Sequence, residues 1–94
     1  MKAISIMRER LSLDDRSFVE LVIWKLPEPL AGSTHPFKYR LALVSEDTCV
    51  FRYDNEAGKG DHKHLGEAEM PYAFSGLDQL QEDFWSEVEQ WRLR

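Results

Sequence analysis

The sequence predicts an α+β fold, a mostly antiparallel sheet of four or five strands with one C-terminal helix packed on it. Apolar and polar residues alternate through the middle of the chain, which is typical of strands with one buried face. The last twenty residues instead place apolar side chains at helical spacing. The length of 94 residues fits a single domain spanning 1–94.

The first half of the chain contains two predicted strands and a long loop. Residues 3–13 are strand-like and loosely alternating, and residues 18–24 are apolar on both faces and β-branched, as in a covered inner strand. Residues 27–36 contain three prolines and one glycine, which exclude a regular strand or helix. We therefore expect a surface loop here, with His35 exposed on it.

The clearest alternation predicts a hairpin. In residues 37–44 and 49–54 the odd positions are apolar, whereas Lys38, Arg40 and Asp54 point the other way, together with Arg52. A two-residue loop at 46–47 would mix the two faces, and a three-residue loop would keep them apart. Depending on where that loop lies, Asp54 faces either Arg40 or Lys38, and all four polar residues share one face.

The end of the chain contains a loop, a short strand and a helix. Residues 55–61 have loop composition, and residues 62–65 start a fifth strand that Gly66 and Pro71 limit. Ser75 is the predicted N-cap of the helix, with Asp78 completing a capping box. The predicted apolar stripe consists of Leu77, Leu80, Phe84, Val88 and Trp91.

Charge and composition limit the classes of function. The net charge is −5, and residues 65–94 hold all of the excess, with seven acidic residues against two arginines. A strongly basic nucleic-acid-binding domain is therefore excluded. The single Cys49, expected in the core, excludes an intrachain disulfide. No apolar run approaches the roughly 20 residues of a membrane span, and no signal peptide is recognisable, so we expect a cytoplasmic protein.

Three neighbouring groups of residues have the chemistry of a site. Arg52, at a strand end, can donate two hydrogen bonds to phosphate oxygens. Asp54 can orient a histidine or act as a base, and Asn55 can cap the turn. The alternative is an ion pair from Asp54 to Arg52 or Lys38 plus an asparagine turn. Lys59, between two glycines, can cradle a phosphate, or the segment is only a flexible turn.

Two histidines one residue apart are the most suggestive pair. On a strand, His62 and His64 lie on one face, where two imidazoles can work as an acid–base pair near neutral pH or contact RNA. They can also bind a metal ion, with Asp54 or Asp61 as third ligand. The remaining interpretation is a pair of exposed, inert histidines.

These residues resemble a known family. The strand segment at 38–40, the segment at 52–56, and the run from Gly58 to His62 with His64 look like the TumE family of bacterial toxin–antitoxin systems. The resemblance covers nearly the whole chain, and residues 52–64 are its specific part. It implies a toxin-like, cytoplasmic member of a two-gene module that a cognate antitoxin neutralises, and by analogy an action on RNA.

The resemblance and the residue chemistry together define one candidate site. We expect His62, His64 and Asp54 to be catalytic. We expect the substrate-binding residues to be Lys38, Arg40, Arg52, Asn55 and Lys59. The function expected is RNA cleavage or binding by a metal-independent site with no cofactor. The alternatives are a non-catalytic domain that binds a protein or small ligand, and a metal-dependent hydrolase. RNA binding further requires the acidic helix to face away from the site, and homodimerisation is the default expectation.

Overall fold

A computed structural model describes residues 2–94, which form one antiparallel sheet and one helix. Six strands follow each other in the order β1-β2-β3-β4-β5-β6, each paired with its sequence neighbour. The elements are β1 Ile4–Ser12, β2 Ser17–Lys25, β3 Phe37–Ser45, β4 Thr48–Glu56, β5 Gly60–Leu65, β6 Ala68–Pro71 and α1 Leu77–Arg92. The α+β class and the C-terminal helix are confirmed. The prediction of four or five strands is wrong, because the sheet has six.

The additional strand is β6. Leu65 pairs with Ala68, so that Gly66 and its neighbour form a two-residue hairpin turn. Gly66 has φ +58°, which glycine adopts at little cost and which hairpin turns of this length require. The glycine predicted to limit β5 is therefore the turn that returns the chain as β6, until Pro71 ends the pairing.

The core lies between the helix and the odd-numbered face of strands β2 to β4. Strand alternation places Val19 and Tyr39 on that face, and their rows continue along each strand. Helix residues Leu80, Phe84 and Val88 are fully buried against this face, which confirms the predicted stripe. The N-cap prediction is wrong, because Gly76 rather than Ser75 caps the helix and no side chain bonds there. The helix described here is too short and too polar to cross a membrane.

The hairpin between β3 and β4 keeps its apolar and polar faces separate, although its turn differs from the predicted one. The turn contains two residues, Glu46 and Asp47, both at positive φ, rather than the predicted three. A bulge then shifts the pairing by one residue, since Leu43 faces Phe51 but Val44 faces Cys49. The bulge restores the separation of apolar and polar faces along the rest of the hairpin, and it leaves Cys49 half-buried rather than in the core.

The proline-containing loop between β2 and β3 is docked rather than free. Its Ala31 carbonyl accepts a hydrogen bond from the Gly58 N–H at 2.7 Å, which ties it to the β4–β5 turn. His35 is only 9% exposed and stacks on Phe74 at 3.8 Å between ring centroids. The expectation of an exposed His35 is therefore wrong. The docked loop lies beside the strands that contain the candidate site.

Candidate functional site

The polar side chains of strands β3 to β6 form rows across one face of the sheet. In one row Arg40 faces Asp54, which in turn faces His62. In the next, Arg52 faces His64, which faces Glu69. Facing residues in adjacent strands share a side of the sheet, so these rows form one surface. We call Arg52, Asp54, His62, His64 and Glu69 the histidine cluster.

The acidic helix lies on the opposite face of the sheet. Phe51 and Tyr53 of β4 pack against helix residue Phe84, and the Tyr53 hydroxyl donates a hydrogen bond to Glu87. Successive strand residues alternate between faces, so Arg52 points away from the helix. The requirement that the helical carboxylates face away from the candidate site is therefore met.

Asp54 is the centre of the cluster. The residue is only 7% exposed, and its Oδ2 accepts a hydrogen bond from Arg52 Nε at 3.0 Å. Its Oδ1 lies 2.9 Å from His62 Nε2 and 3.5 Å from His64 Nε2. Asp54 thus divides its two oxygens between a fixed cation and two imidazoles. Partial burial of Arg52 acts to lower its pKa, but the hydrogen bond and charge of Asp54 raise that pKa above its usual value.

His62 is buried and has one nitrogen without a hydrogen bond. Its Nδ1 lies 3.1 Å from the Gly60 carbonyl, which can only accept, so Nδ1 holds a proton. In the neutral ring Nε2 then presents a lone pair. Nε2 and Asp54 Oδ1 are in near contact, yet they do not meet hydrogen-bond geometry, and both are buried without a partner. A buried pair of this kind costs about 1–3 kcal/mol per atom unless something fills the gap between them.

His64 completes the imidazole pair on the more exposed side. Its ring centroid lies 5.0 Å from that of His62, at an interplanar angle of 74°. Arg52 Nη2 is 3.3 Å from His64 Nε2 and, being a donor, directs an N–H at this nitrogen. On the other side of the ring, His64 Nδ1 lies 3.8 Å from Glu69 Oε2. The neutral ring therefore holds its proton on Nδ1 and presents the Nε2 lone pair to the cluster.

A shallow pocket opens beside the cluster. It has a volume of about 240 Å³ and its lining comprises Lys59, Asp61, His62, Glu69, Met70 and Pro71. Lys59 Nζ lies 2.6 Å from Glu69 Oε1. This hydrogen bond raises the pKa of Lys59 and lowers the pKa of Glu69. Lys59 is thus held by Glu69 at the lining of the pocket that also borders His62.

The remaining sequence-predicted residues lie at the border of the cluster. Arg40 is exposed directly opposite Asp54. Asn55 is 1% exposed and its amide bridges β3, accepting from the Tyr39 N–H at 3.0 Å and donating to the Phe37 carbonyl at 2.7 Å. Lys38 donates to the Asn55 backbone carbonyl. The amide of Asn55 therefore continues the β3–β4 pairing beyond its last backbone pair and fixes the strand end that presents Asp54.

Two features of the site were not predicted from the sequence. The first is that Glu69 belongs to the cluster. Gly66 in the sequence could have predicted this, because a two-residue turn there places residue 69 opposite His64. Asp61 is on the helix side instead, where it accepts hydrogen bonds from His35 Nε2 at 2.8 Å and the Tyr39 hydroxyl at 2.6 Å. Asp61 is therefore not the third residue beside the histidine pair, and Asp54 is.

Burial of two tyrosines on the helix side predicts a loss of stability in alkali. Burial, followed by hydrogen bonds to Asp61 and Glu87, raises the pKa values of Tyr39 and Tyr53 far above that of free tyrosine. Above about pH 10 the unfolded chain loses these protons and the folded chain keeps them. The free energy of unfolding should then fall by about 1.4 kcal/mol per pH unit for each tyrosine.

Urea unfolding between pH 8 and 11, with tyrosinate absorbance recorded in parallel, measures this effect. In Tyr53→Phe the free energy of unfolding should fall less steeply with pH, by the contribution of one ionising group. Reversible ionisation of Tyr39 and Tyr53 near pH 10 in the folded protein would contradict the prediction.

Comparison with known proteins identifies a family for this chain. The family model described as toxin TumE matches residues 2–92, which include every strand, the helix and the whole histidine cluster. The searches of curated proteins and of solved structures gave no match. A match over nearly the full length shows the family, and toxins of this kind generally have an antitoxin partner. The chain therefore belongs to the TumE toxin family.

Proposed function

We propose that this protein is the toxin of a toxin–antitoxin module and that it cleaves RNA at the histidine cluster. One observation carries the proposal: two imidazoles and a carboxylate, His62, His64 and Asp54, meet within 4.8 Å on the face of the sheet opposite the acidic helix. Family membership supports the toxin role. The action on RNA is inferred from the chemistry of the cluster.

The cluster suits in-line displacement at phosphorus. One imidazole accepts the proton of the ribose 2′-hydroxyl as its oxygen bonds to phosphorus, and the other donates a proton to the departing 5′-oxygen. The P–O5′ bond breaks, which leaves a 2′,3′-cyclic phosphate and a free 5′-hydroxyl. Asp54 Oδ1 lies 2.9 Å from His62 Nε2, so its negative charge would stabilise this ring when it is protonated, and the Nε2 atoms of both rings face the same carboxylate.

Cations around the cluster supply phosphate contacts. Arg40 is exposed beside Asp54, and Arg52 keeps a third of its side chain exposed while one edge of its guanidinium holds Asp54. Lys59 flanks the pocket over His62. We assign to these three cations the binding of phosphates next to the cleaved bond, because arginine and lysine are the usual phosphate partners. Lys38 and Asn55 support the β4 end from behind, and we assign them the positioning of Asp54.

The test is cleavage of a labelled RNA by purified, antitoxin-free protein, beside the same oligonucleotide with a 2′-deoxy substitution at the cleaved nucleotide. We expect the RNA to be cut to a 2′,3′-cyclic phosphate and the deoxy oligonucleotide to survive, because the 2′-oxygen is the nucleophile. His64→Ala should abolish cleavage and retain the native circular dichroism spectrum. Equal cleavage of both substrates would refute the acid–base mechanism, and a folded protein that neither binds nor cuts RNA would refute the function.

A second candidate is a non-catalytic binding domain. The observation that favours it is burial, because Asp54 and His62 are largely enclosed and held by the Arg52 and Gly60 contacts. It predicts that alanine at His62 and His64 lowers stability or partner affinity but changes no reaction rate. Thermal unfolding and the cleavage assay on the same variants separate the two functions.

The setting of the protein is part of the proposal. We place it in the cytoplasm with a cognate protein antitoxin, as a two-gene toxin module implies. Homodimerisation is supported by the edge strand β1, where Ile4, Ile6 and Leu11 are exposed. An edge strand with exposed apolar side chains is a ready pairing surface. Sedimentation of the purified chain with and without its antitoxin tests both partnerships.

A further inference from the structure

We propose that Asp54, His62 and His64 together bind one zinc ion. The three residues each offer one ligand atom, and these atoms lie within 4.8 Å of one another on adjacent strands. Two imidazole nitrogens and one carboxylate oxygen are a donor set that zinc accepts. This proposal goes beyond RNA cleavage, and the protein could bind the ion whether or not it cleaves RNA.

Distances within the cluster fit a single ion. Zinc bonds of about 2.0–2.1 Å at tetrahedral angles put neighbouring ligand atoms roughly 3.3–3.4 Å apart. Asp54 Oδ1 lies 2.9 Å from His62 Nε2 and 3.5 Å from His64 Nε2, which brackets that separation. All three ligand atoms lie within 4.8 Å of one another, so side-chain rotations that bring the two imidazole nitrogens closer together would complete the three-ligand geometry.

Two orphaned atoms point to a ligand between the strands. Asp54 Oδ1 and His62 Nε2 are buried and make no hydrogen bond, and each belongs to a residue that is more than nine-tenths buried. Buried polar atoms in native proteins nearly always have partners, so this pair requires an explanation. A cation held by both atoms satisfies them together.

The outer contact of His62 matches that of a metal ligand. A metal-binding histidine usually donates its other ring N–H to a carbonyl or carboxylate, which fixes the tautomer. His62 does so through Nδ1 and the Gly60 carbonyl at 3.1 Å, leaving Nε2 free. His64 Nδ1 lies 3.8 Å from Glu69 Oε2, which is beyond hydrogen-bond distance, so Glu69 would have to move closer to hold this ring. Arg52 alone competes, because its Nη2 lies 3.3 Å from His64 Nε2 and must move aside when zinc binds.

Zinc and proton transfer would use the same lone pairs. An ion on His62 Nε2 and His64 Nε2 prevents either ring from exchanging a proton there. We therefore expect zinc to inhibit RNA cleavage, an expectation that, unlike binding itself, rests on the proposed function. Release of zinc by a chelator would restore the activity.

The experiment is a titration of the untagged protein with zinc chloride at pH 7.5. Calorimetry measures the stoichiometry and affinity, and nuclear magnetic resonance records the imidazole nitrogens. We expect one ion per chain and shifts at the Nε2 atoms of His62 and His64. His35 is the internal control, because its Nε2 is engaged by Asp61 and should not shift. Failure to saturate at one equivalent, or equal shifts at all three histidines, would overturn the proposal.

Variants make the assignment specific. His64→Gln should weaken zinc binding at least about 100-fold, since loss of a mere outer contact typically costs about 10- to 100-fold. Glu67→Gln removes an exposed carboxylate in the nearby turn and should bind as the parent does. Unchanged affinity in His64→Gln would refute the site. Zinc binding by a protein that cleaves no RNA even after the zinc is removed would refute the proposed function alone, and cleavage without zinc binding would refute this inference alone.

Discussion

Replacing Asn55 with alanine is expected to lower the free energy of unfolding by about 2–6 kcal/mol. The Asn55 amide is buried and holds two backbone groups of β3, the N–H of Tyr39 and the carbonyl of Phe37. Alanine leaves both groups without a partner, at about 1–3 kcal/mol each. For a domain of this size the loss is a large part of the total stability.

Chemical denaturation of the Asn55→Ala protein measures this loss. The matched control is Gln79→Ala, which removes an exposed side-chain amide bonded to Asp83 at 2.8 Å. Exposed substitutions of this type change stability by about 0.5 kcal/mol or less. A loss below about 1 kcal/mol in Asn55→Ala would show that the amide does not fix the strand end.

Asp54→Asn is expected to slow RNA cleavage by about 10²- to 10⁴-fold without lowering stability. The substitution removes the charge that orients and stabilises a protonated His62, and a positioned acid or base is worth about that factor. It also places an amide within hydrogen-bond reach of the orphaned His62 Nε2. The amide oxygen can still accept the Arg52 Nε–H. The cleavage rate should therefore fall while the free energy of unfolding does not.

Single-turnover cleavage rates and urea unfolding of the same preparation separate the two effects. Glu69→Gln is the control, because that carboxylate is 3.8–3.9 Å from the imidazoles and outside hydrogen-bond distance. It should reduce the rate far less than Asp54→Asn. A stable Asp54→Asn protein with the parent's cleavage rate would remove Asp54 from the mechanism.

Face alternation made much of the site predictable. The odd-and-even pattern of residues 37–54 alone places Arg40, Arg52 and Asp54 on one surface, and the pairing of Arg40 with Asp54 is one of the two predicted registers. The period of two explains this success, because a shift by one residue would expose Leu41 and Tyr53. The spacing of His62 and His64 placed them together for the same reason.

The features that depend on turn geometry were less accessible. The bulge at Val50 and the two-residue turn at Glu46 and Asp47 compensate each other, and neither is visible in the alternation of apolar and polar residues. The buried state of His35 depends on a docked loop whose contacts come from distant parts of the chain. The missing hydrogen bond between Asp54 and His62 is a matter of side-chain direction, which a sequence pattern does not contain.

The most direct test of the histidine cluster is bacterial growth after induction of the chain without an antitoxin. The parent protein is compared with a His62→Ala/His64→Ala variant at the same expressed level. The proposed function predicts that the parent arrests growth and that the variant, folded and equally abundant, does not. Growth arrest by both proteins would contradict a role for the histidines, and normal growth with both would contradict the toxin activity itself.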